Sequence, residues 1–391
     1  MTPGARLAAA AELLDEILAG APAERTLTNW ARASRYAGSK DRAAVRDLVY
    51  DALRRRRSLA WVGGSETGRG LLLGALRLSG TDPATLMTGE GHALAPPGPE
   101  ETGRDLAQAP DGVRLDMPDW LVPRLHDSLG DGLQPACEAL AARAPVTLRV
   151  NLRKATRESA QRALADDVIE CIFDPDVRTA LQVVVGSTKV SRSEAYLSGL
   201  VELQDASSQA AVLRLPLRKG GRVLDYCAGG GGKTLAMGAL EDLVLVAHDA
   251  DPRRMADLPA RAARAGLAVT LSGDAATSAP YDLVLVDAPC SGSGTWRRTP
   301  DAKWRLSPER LAELRALQDR ILDAAAPLVG SSGHLAYATC SVLREECDER
   351  VAAFQARHPG WEVTDRFSVP PRATGDGFFQ AVMRRHRRRE C

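Results

Sequence analysis

The chain has 391 residues, 45% of them hydrophobic, and a formal net charge of +1. That length is too great for one ordinary domain and points to two or three, each with enough apolar residues to bury a core. The near-cancellation of charge excludes global attraction to a polyanion, so a nucleic-acid partner has to be held by local basic patches.

From Ala5 to about Leu78 the periodicity is helical. "ARLAAAAELLDEILAG" places Leu7, Leu13, Leu14 and Leu18 on one face and ends at a glycine. Its run is broken by Glu12, Asp15 and Glu16, which does not suit a signal peptide. "SKDRAAVRDLVYDALRRRRSLAWV" predicts another helix with Ser39 as N-cap. Residues from Thr81 to Gly112 are rich in Pro, Gly and Thr and read as linker. Helical pattern returns at "PDWLVPRLHDSLG" and "LQPACEALAARA". "VTLRVNL", "TRESAQRALADD" and "LQVVV" then predict strand, helix and strand, a small α/β unit between about Pro145 and Leu203. From Gly221 onward, short apolar runs such as "GRVLDYC", "LVLVAHD", "AVTLSGD", "YDLVLVDAP", "GHLAYATCS" and "GFFQAVMRR" alternate with helical patterns. Continuous apolar runs suit strands buried on both faces of a mostly parallel sheet, and crossover helices make it a doubly wound, Rossmann-like α/β fold. No apolar stretch is long enough to span a bilayer.

"DYCAGGGGKT" follows the first of these strands. A triphosphate-binding P-loop needs G-x-x-x-x-G-K-[ST], but the first required glycine falls on Cys227. The dinucleotide fingerprint G-x-G-x-x-G fails as well, because its third glycine falls on Thr234. What remains is a glycine loop opening a helix, with Asp225, Asp249 and Asp274 at the ends of three successive strands. Carboxylates there can accept hydrogen bonds from ribose hydroxyls. The set suits a nucleoside ligand without a pyrophosphate, such as S-adenosylmethionine; the bland alternative is a glycine turn with strand-end caps.

The seven cysteines are odd in number and scattered, with no C-x-x-C pair. This argues against a disulfide framework or a structural zinc site and fits a reducing cytoplasm. None of the six histidines has metal-ligand spacing, and His248, inside an apolar run, reads as structural. Two cysteines stand out. "VDAPCSGSGTWRR" puts Cys290 just beyond the fourth strand, and "YATCS" puts Cys340 at the end of the fifth. Both then share a sheet edge with the glycine loop. A lone cysteine is ordinarily a small buried hydrophobe; two at the crevice suggest chemistry. Carbon 5 of cytosine is a poor nucleophile toward a methyl sulfonium. Adding a thiolate to carbon 6 makes it enamine-like, which is nucleophilic catalysis. An acid such as Asp287 could hydrogen-bond the cytosine edge.

Together "DYCAGGGGKT", "VDAPCSGSGT", "YATCS", "LQDASSQ", "TLRVN" and "DGFFQA" resemble the Nol/Nop/Sun family of RNA cytosine-5 methyltransferases, in particular its bacterial branch acting on small-subunit ribosomal RNA. The likeness runs from about Trp120 to Met383. It implies that Cys340 is the nucleophile and that Cys290 assists product release. It also implies that Cys227, Ala228, Gly229, Gly230, Gly231, Gly232 and Lys233, with Asp249, Asp274 and Asp287, surround S-adenosylmethionine. The family loop usually reads Ala-Cys-Ala-Ala-Pro-Gly-Gly-Lys. Here Tyr226 replaces the first alanine and Gly229-Gly230 replace Ala-Pro, which predicts a looser loop. Cys227 is expected only to pack.

By the same resemblance, residues 1–125 form a helical, NusB-like RNA-binding domain with its linker, through "GSKDRAAVRDLVYDALRRRR". Residues 126–205 form an RNA-recognition-like α/β subdomain and 206–391 the catalytic domain. Arg54 to Arg57 and the tail "RRHRRRE" read equally as phosphate contacts or solvated ends. "RRTPDAKWR" offers Arg297, Arg298, Lys303, Trp304 and Arg305 for RNA, with core or loop packing as the alternative for the tryptophan. The expected partner is ribosomal RNA, with no membrane and no metal, and the expected state is a cytoplasmic monomer. Two other readings stay open: the same chemistry on transfer RNA, and a non-catalytic assembly factor that keeps the fold.

Overall fold

Leu7, Leu13, Leu14 and Ile17 recur at helical spacing. In the computed structural model, which describes residues 1–386, they line the buried side of the helix Pro3–Leu18. Helices Ala23–Ala33, Ser39–Arg54, Arg56–Gly63 and Gly68–Leu78 follow, and their leucines and valines close one core around Leu14, Leu53, Leu59 and Leu71. The last two helices pack backbone to backbone: a Cβ on Gly74 would lie 2.0 Å from the Leu59 carbonyl oxygen. Ser39 is not the N-cap of its helix. Gly38 holds that position, and the Asp41 carboxylate accepts its N–H at 3.2 Å. The Pro/Gly-rich stretch after Leu78 is irregular apart from short turns, and helices Val122–Leu129 and Leu133–Ala141 follow it.

Residues 1–143 form one unit together with 296–308, and residues 144–295 form the other with the chain from 309 onward. The first unit is therefore discontinuous, and its late segment, which contains the helix Pro300–Arg305, comes from inside the region expected to be wholly catalytic.

The second unit holds two sheets. Strands β1 (Val146–Val150), β2 (Glu170–Phe173), β3 (Ala180–Val185) and β4 (Val201–Leu203) make an antiparallel sheet in the order β2-β3-β1-β4. Apolar runs in the sequence mark β1 and β3 but not β2 and β4, which have only four and three residues. Strands β5 (Arg222–Asp225), β6 (Val244–Ala247), β7 (Val269–Leu271), β8 (Tyr281–Asp287), β9 (Val329–Thr339), β10 (Trp361–Val369) and β11 (Phe378–Arg385) make the larger sheet, ordered β10-β11-β9-β8-β5-β6-β7. Strands β5 to β9 run parallel, and β10 and β11 are antiparallel additions at one edge. Leu283, Val284, Leu285 and Val286 of β8 are all buried, as a central strand covered on both faces requires. Strand β10 is not among the expected strands because its alternating "WEVTDRFSV" suits a half-exposed edge strand, not the continuous apolar run of the others.

Candidate active site

The parallel order brings the carboxyl ends of β5, β6, β8 and β9 to one edge, where ligands of doubly wound sheets bind. Every group described next lies in the second unit. Asp287 is the last residue of β8, and Cys290 follows three residues on. Thr339 is the last residue of β9, and Cys340 follows it directly. The two sulfurs stand 3.4 Å apart. Cys340 also receives the Thr295 hydroxyl at 3.9 Å.

The two thiols are unequal. The hydrogen bond that Cys290 donates holds the Cys340 thiol below its ordinary pKa, against the opposing effects of burial and Asp287. The same bond, together with burial, pushes Cys290 well above it. Of the two, Cys340 is the thiol that ionises more readily.

Lys233 donates to Asp287 at 2.6 Å. Burial alone would lower the pKa of this ammonium; the carboxylate reverses that and holds it above its ordinary value. Its Nζ also lies 5.0 Å from the centre of the Phe378 ring.

The glycine loop between β5 and the helix Gly232–Leu240 turns through left-handed conformations at Gly229 (φ +49°) and Gly231 (φ +80°). A side chain at Gly231 would also collide with Leu258, whose Cδ1 is 2.2 Å from the Cβ position. Despite its glycines the loop is pinned: Ala228 N–H donates to the His248 carbonyl at 2.9 Å and Gly229 N–H to Asp249 Oδ2 at 2.9 Å. Asp249 is buried and also accepts Asp251 N–H at 3.0 Å and Arg254 Nη1 at 3.0 Å. Asp274 is exposed and caps its own turn by accepting Ala276 N–H at 2.9 Å. The Cys227 thiol is pushed up to about 12 by burial, which leaves it inert. His248 packs against Tyr226, with ring centres 5.1 Å apart.

Asp225 has a further property that its strand-end position does not reveal. It is fully buried; Oδ2 accepts the Thr234 hydroxyl at 2.7 Å, while Oδ1 has no hydrogen-bond partner among the described residues. Burial pushes its pKa up to about 6. An orphaned buried acceptor beside a glycine loop fits a ligand that donates hydrogen bonds. A triphosphate fits badly. The lysine that would meet its phosphates is committed to Asp287, and Asp225, Asp249 and Asp287 would repel them. S-adenosylmethionine, with an ammonium and ribose hydroxyls, matches this acceptor set.

Residues 212–384 match the family described as 16S rRNA methyltransferase RsmB/F, and residues 117–190 match its ferredoxin-like domain. The chain is 34% identical over 287 residues to ribosomal RNA small subunit methyltransferase B of Salmonella arizonae, covering 69% of this chain and 67% of that protein. The corresponding Citrobacter koseri protein is 35% identical over the same coverage. The chain belongs to the RsmB/F family of ribosomal RNA methyltransferases. The fold agrees with solved structures. PH0851 superposes with a TM-score of 0.75 at 24% identity, covering 98% of this chain and 99% of that one. NSun6 from Pyrococcus horikoshii with SFG gives 0.60 at 17%, covering 69% and 98%.

In this RsmB/F-family chain two of the expected RNA contacts are corrected. Arg297 and Lys303 are buried in the first unit. Lys303 donates to the carbonyls of Asp116 (2.6 Å) and Arg54 (3.1 Å), and burial brings its pKa down to about 8. An ammonium spent on two backbone acceptors cannot reach a phosphate. Trp304 is also a packing residue: its indole N–H donates to the Leu53 carbonyl at 2.7 Å. Arg298 and Arg305 are exposed, and Arg305 pairs with Asp301 at 3.0 Å. Arg54 is buried on Asp51, Arg56 pairs with Glu66, and Arg57 with Asp119. In the tail, Arg384 pairs with Glu362, and residues 387–391 lie outside the described residues.

Other cations escape the motifs. Arg25, Arg32, Arg35 and Lys40 are exposed and have no ion pair or hydrogen-bond partner among the described side chains, and Tyr36 beside them is 73% exposed. Arg25 and Arg32 lie seven residues apart on the helix Ala23–Ala33, hence on one face. That spacing is visible in the sequence; their freedom from partners is not. Glu346, buried against Ser291 and Ser341 beside the two cysteines, leaves no sequence signal either.

Proposed function

We propose that this methyltransferase moves a methyl group from S-adenosylmethionine to carbon 5 of a cytosine in small-subunit ribosomal RNA. The observation that carries the proposal is the pair of sulfurs 3.4 Å apart with opposite shifts in acidity. A more acidic thiol in contact with a less acidic one suits a reaction that needs a nucleophile first and a second group at the base later.

S-adenosylmethionine supplies an electrophilic methyl group. Asp225, Asp249 and the backbone of the Cys227–Lys233 loop would hold it, with Asp274 at the rim; SFG, an analogue of that cofactor, accompanies the related NSun6 structure. The Cys340 thiolate bonds to carbon 6 of the cytosine, which places electron density on carbon 5. Asp287, oriented by Lys233, would accept a hydrogen bond from the amino edge of the cytosine and so fix its orientation. Once Cys340 is bonded to carbon, its charge no longer opposes ionisation of Cys290. Carbon 5 would then take the methyl group as its bond to the sulfonium sulfur breaks and the demethylated cofactor departs. Cys290, its own proton passed to water, would accept the carbon 5 proton; the double bond would re-form and Cys340 would leave as thiolate. We further propose that the helical first unit, NusB-like in its arginine-rich helix, binds RNA through Arg25, Arg32, Arg35, Lys40 and Tyr36.

The test is incubation with small-subunit ribosomal RNA and S-adenosylmethionine, followed by bisulfite sequencing. The wild type should protect one cytosine. Cys340→Ala should abolish transfer and leave no covalent species. Cys290→Ala should transfer and then stall as a protein–RNA band that survives denaturing electrophoresis. The opposite pattern would exchange the two roles. Full activity in both variants without any adduct would remove thiolate catalysis.

A further inference from the structure

Glu346 is fully buried, in the short turn Arg344–Glu346 after the Cys340 loop. A carboxylate so placed needs several donors to offset its lost hydration. It has four. Ser291 donates through its backbone N–H to Oε1 at 2.9 Å and through its hydroxyl to Oε2. The Ser341 hydroxyl donates to Oε2 at 2.7 Å. The Gln318 amide donates to Oε1 at 3.0 Å, and to the Pro289 carbonyl at 2.9 Å. All these groups lie in the second unit.

The arrangement has a pattern. Ser291 is the residue after Cys290, and Ser341 is the residue after Cys340. One carboxylate therefore grips the neighbour of each thiol, and Gln318 ties the same carboxylate to the residue before Cys290. The two loops also meet where Ser293 Oγ lies 2.8 Å from Ser341 Oγ and accepts Val342 N–H at 2.9 Å, and where Gly294 N–H donates to the Cys340 carbonyl at 2.9 Å.

We propose that Glu346 is a positioning residue that sets the separation of the two sulfurs. Its negative charge on the Cys290 side also favours the protonated form of that thiol, so the clamp helps keep Cys340 the more acidic of the two. This inference rests on the proposed roles of the two cysteines, but one of its readouts needs neither RNA nor turnover.

The experiment uses the full chain. Iodoacetamide alkylation of each cysteine is followed by peptide mass spectrometry, beside methyl transfer to small-subunit ribosomal RNA and thermal unfolding. In the wild type Cys340 should alkylate much faster than Cys290. In Glu346→Ala that preference should collapse toward equality. The kcat should fall by about tenfold to a hundredfold, the scale of a reacting group displaced by an ångström, with KM for RNA little changed. Glu346→Gln, which keeps one acceptor oxygen, should recover part of both. Ser341→Ala removes one strut and gives the same readouts should Glu346→Ala fail to fold. A wild-type alkylation preference in folded variants would overturn the proposal, as would a loss of kcat that merely follows the melting temperature. If the preference collapses as expected but the wild type modifies no cytosine, the clamp stands and the assigned reaction falls.

Discussion

At the residue scale, the acids of the glycine loop differ in ways that only their surroundings reveal. Asp249 is buried and makes three hydrogen bonds at 3.0 Å or less; Asp274 is exposed and caps a turn. Asp249→Ala should therefore weaken S-adenosylmethionine binding by about 1–3 kcal/mol, the scale of removing a buried hydrogen-bond partner, and Asp274→Ala by less; calorimetric titration of both variants measures the difference. Asp225 gives a pH dependence. Its folded pKa of about 6 lies above the ordinary value of 3.8. A carboxylate raised in this way contributes stability that is fully present below the unfolded pKa and is lost as pH rises through the folded one. Wild-type stability should fall between roughly pH 4 and 6 relative to Asp225→Asn. A bound ammonium donor would favour the ionised carboxylate, so cofactor affinity should rise across the same window. Parallel unfolding curves for the two proteins across that window would discount this account.

At the element scale, the segment Trp296–Pro308 changes meaning. Taken as sequence, it follows the Cys290 loop and mixes arginines with tryptophans, as an RNA-contacting loop would. Folded, it is a packed part of the helical unit, with Lys303 and Trp304 hydrogen-bonded to backbone carbonyls. The proposed phosphate-binding face is instead the one carrying Arg25, Arg32, Arg35 and Lys40. Removing one cation that neutralises a phosphate should lower the slope of log affinity against log salt by about 0.7–0.9. Arg32→Gln with Arg35→Gln should then lower it by about 1.5. Filter binding of small-subunit ribosomal RNA at several salt concentrations reads this directly, and an unchanged slope would clear the patch of any role.

At the scale of the whole molecule, the first unit is built from two stretches of chain. A chain beginning at Ala144 looks self-sufficient by its catalytic motifs, all of which it keeps. It nevertheless strands residues 296–308: the Lys303 ammonium and the Trp304 indole are deprived of the acceptors supplied by Leu53, Arg54 and Asp116. Such a truncation should aggregate or melt broadly in size-exclusion and unfolding experiments; a sharply melting monomer would refute the dependence. The same division separates what was legible in the sequence from what was not. Strands β5 to β9, the glycine loop and the two cysteines could be read in advance because local period and spacing encode them: continuous apolar runs, a turn that needs left-handed glycines, and thiols just past strand ends. The failed P-loop spacing likewise excluded the triphosphate before Lys233 was seen on Asp287. The burial of Arg297 and Lys303, the orphaned oxygen of Asp225 and the Glu346 clamp were decided by tertiary structure alone. Each depends on a partner distant in the chain, or on desolvation, and no local pattern records whether a charged side chain will meet water, a carbonyl or another loop.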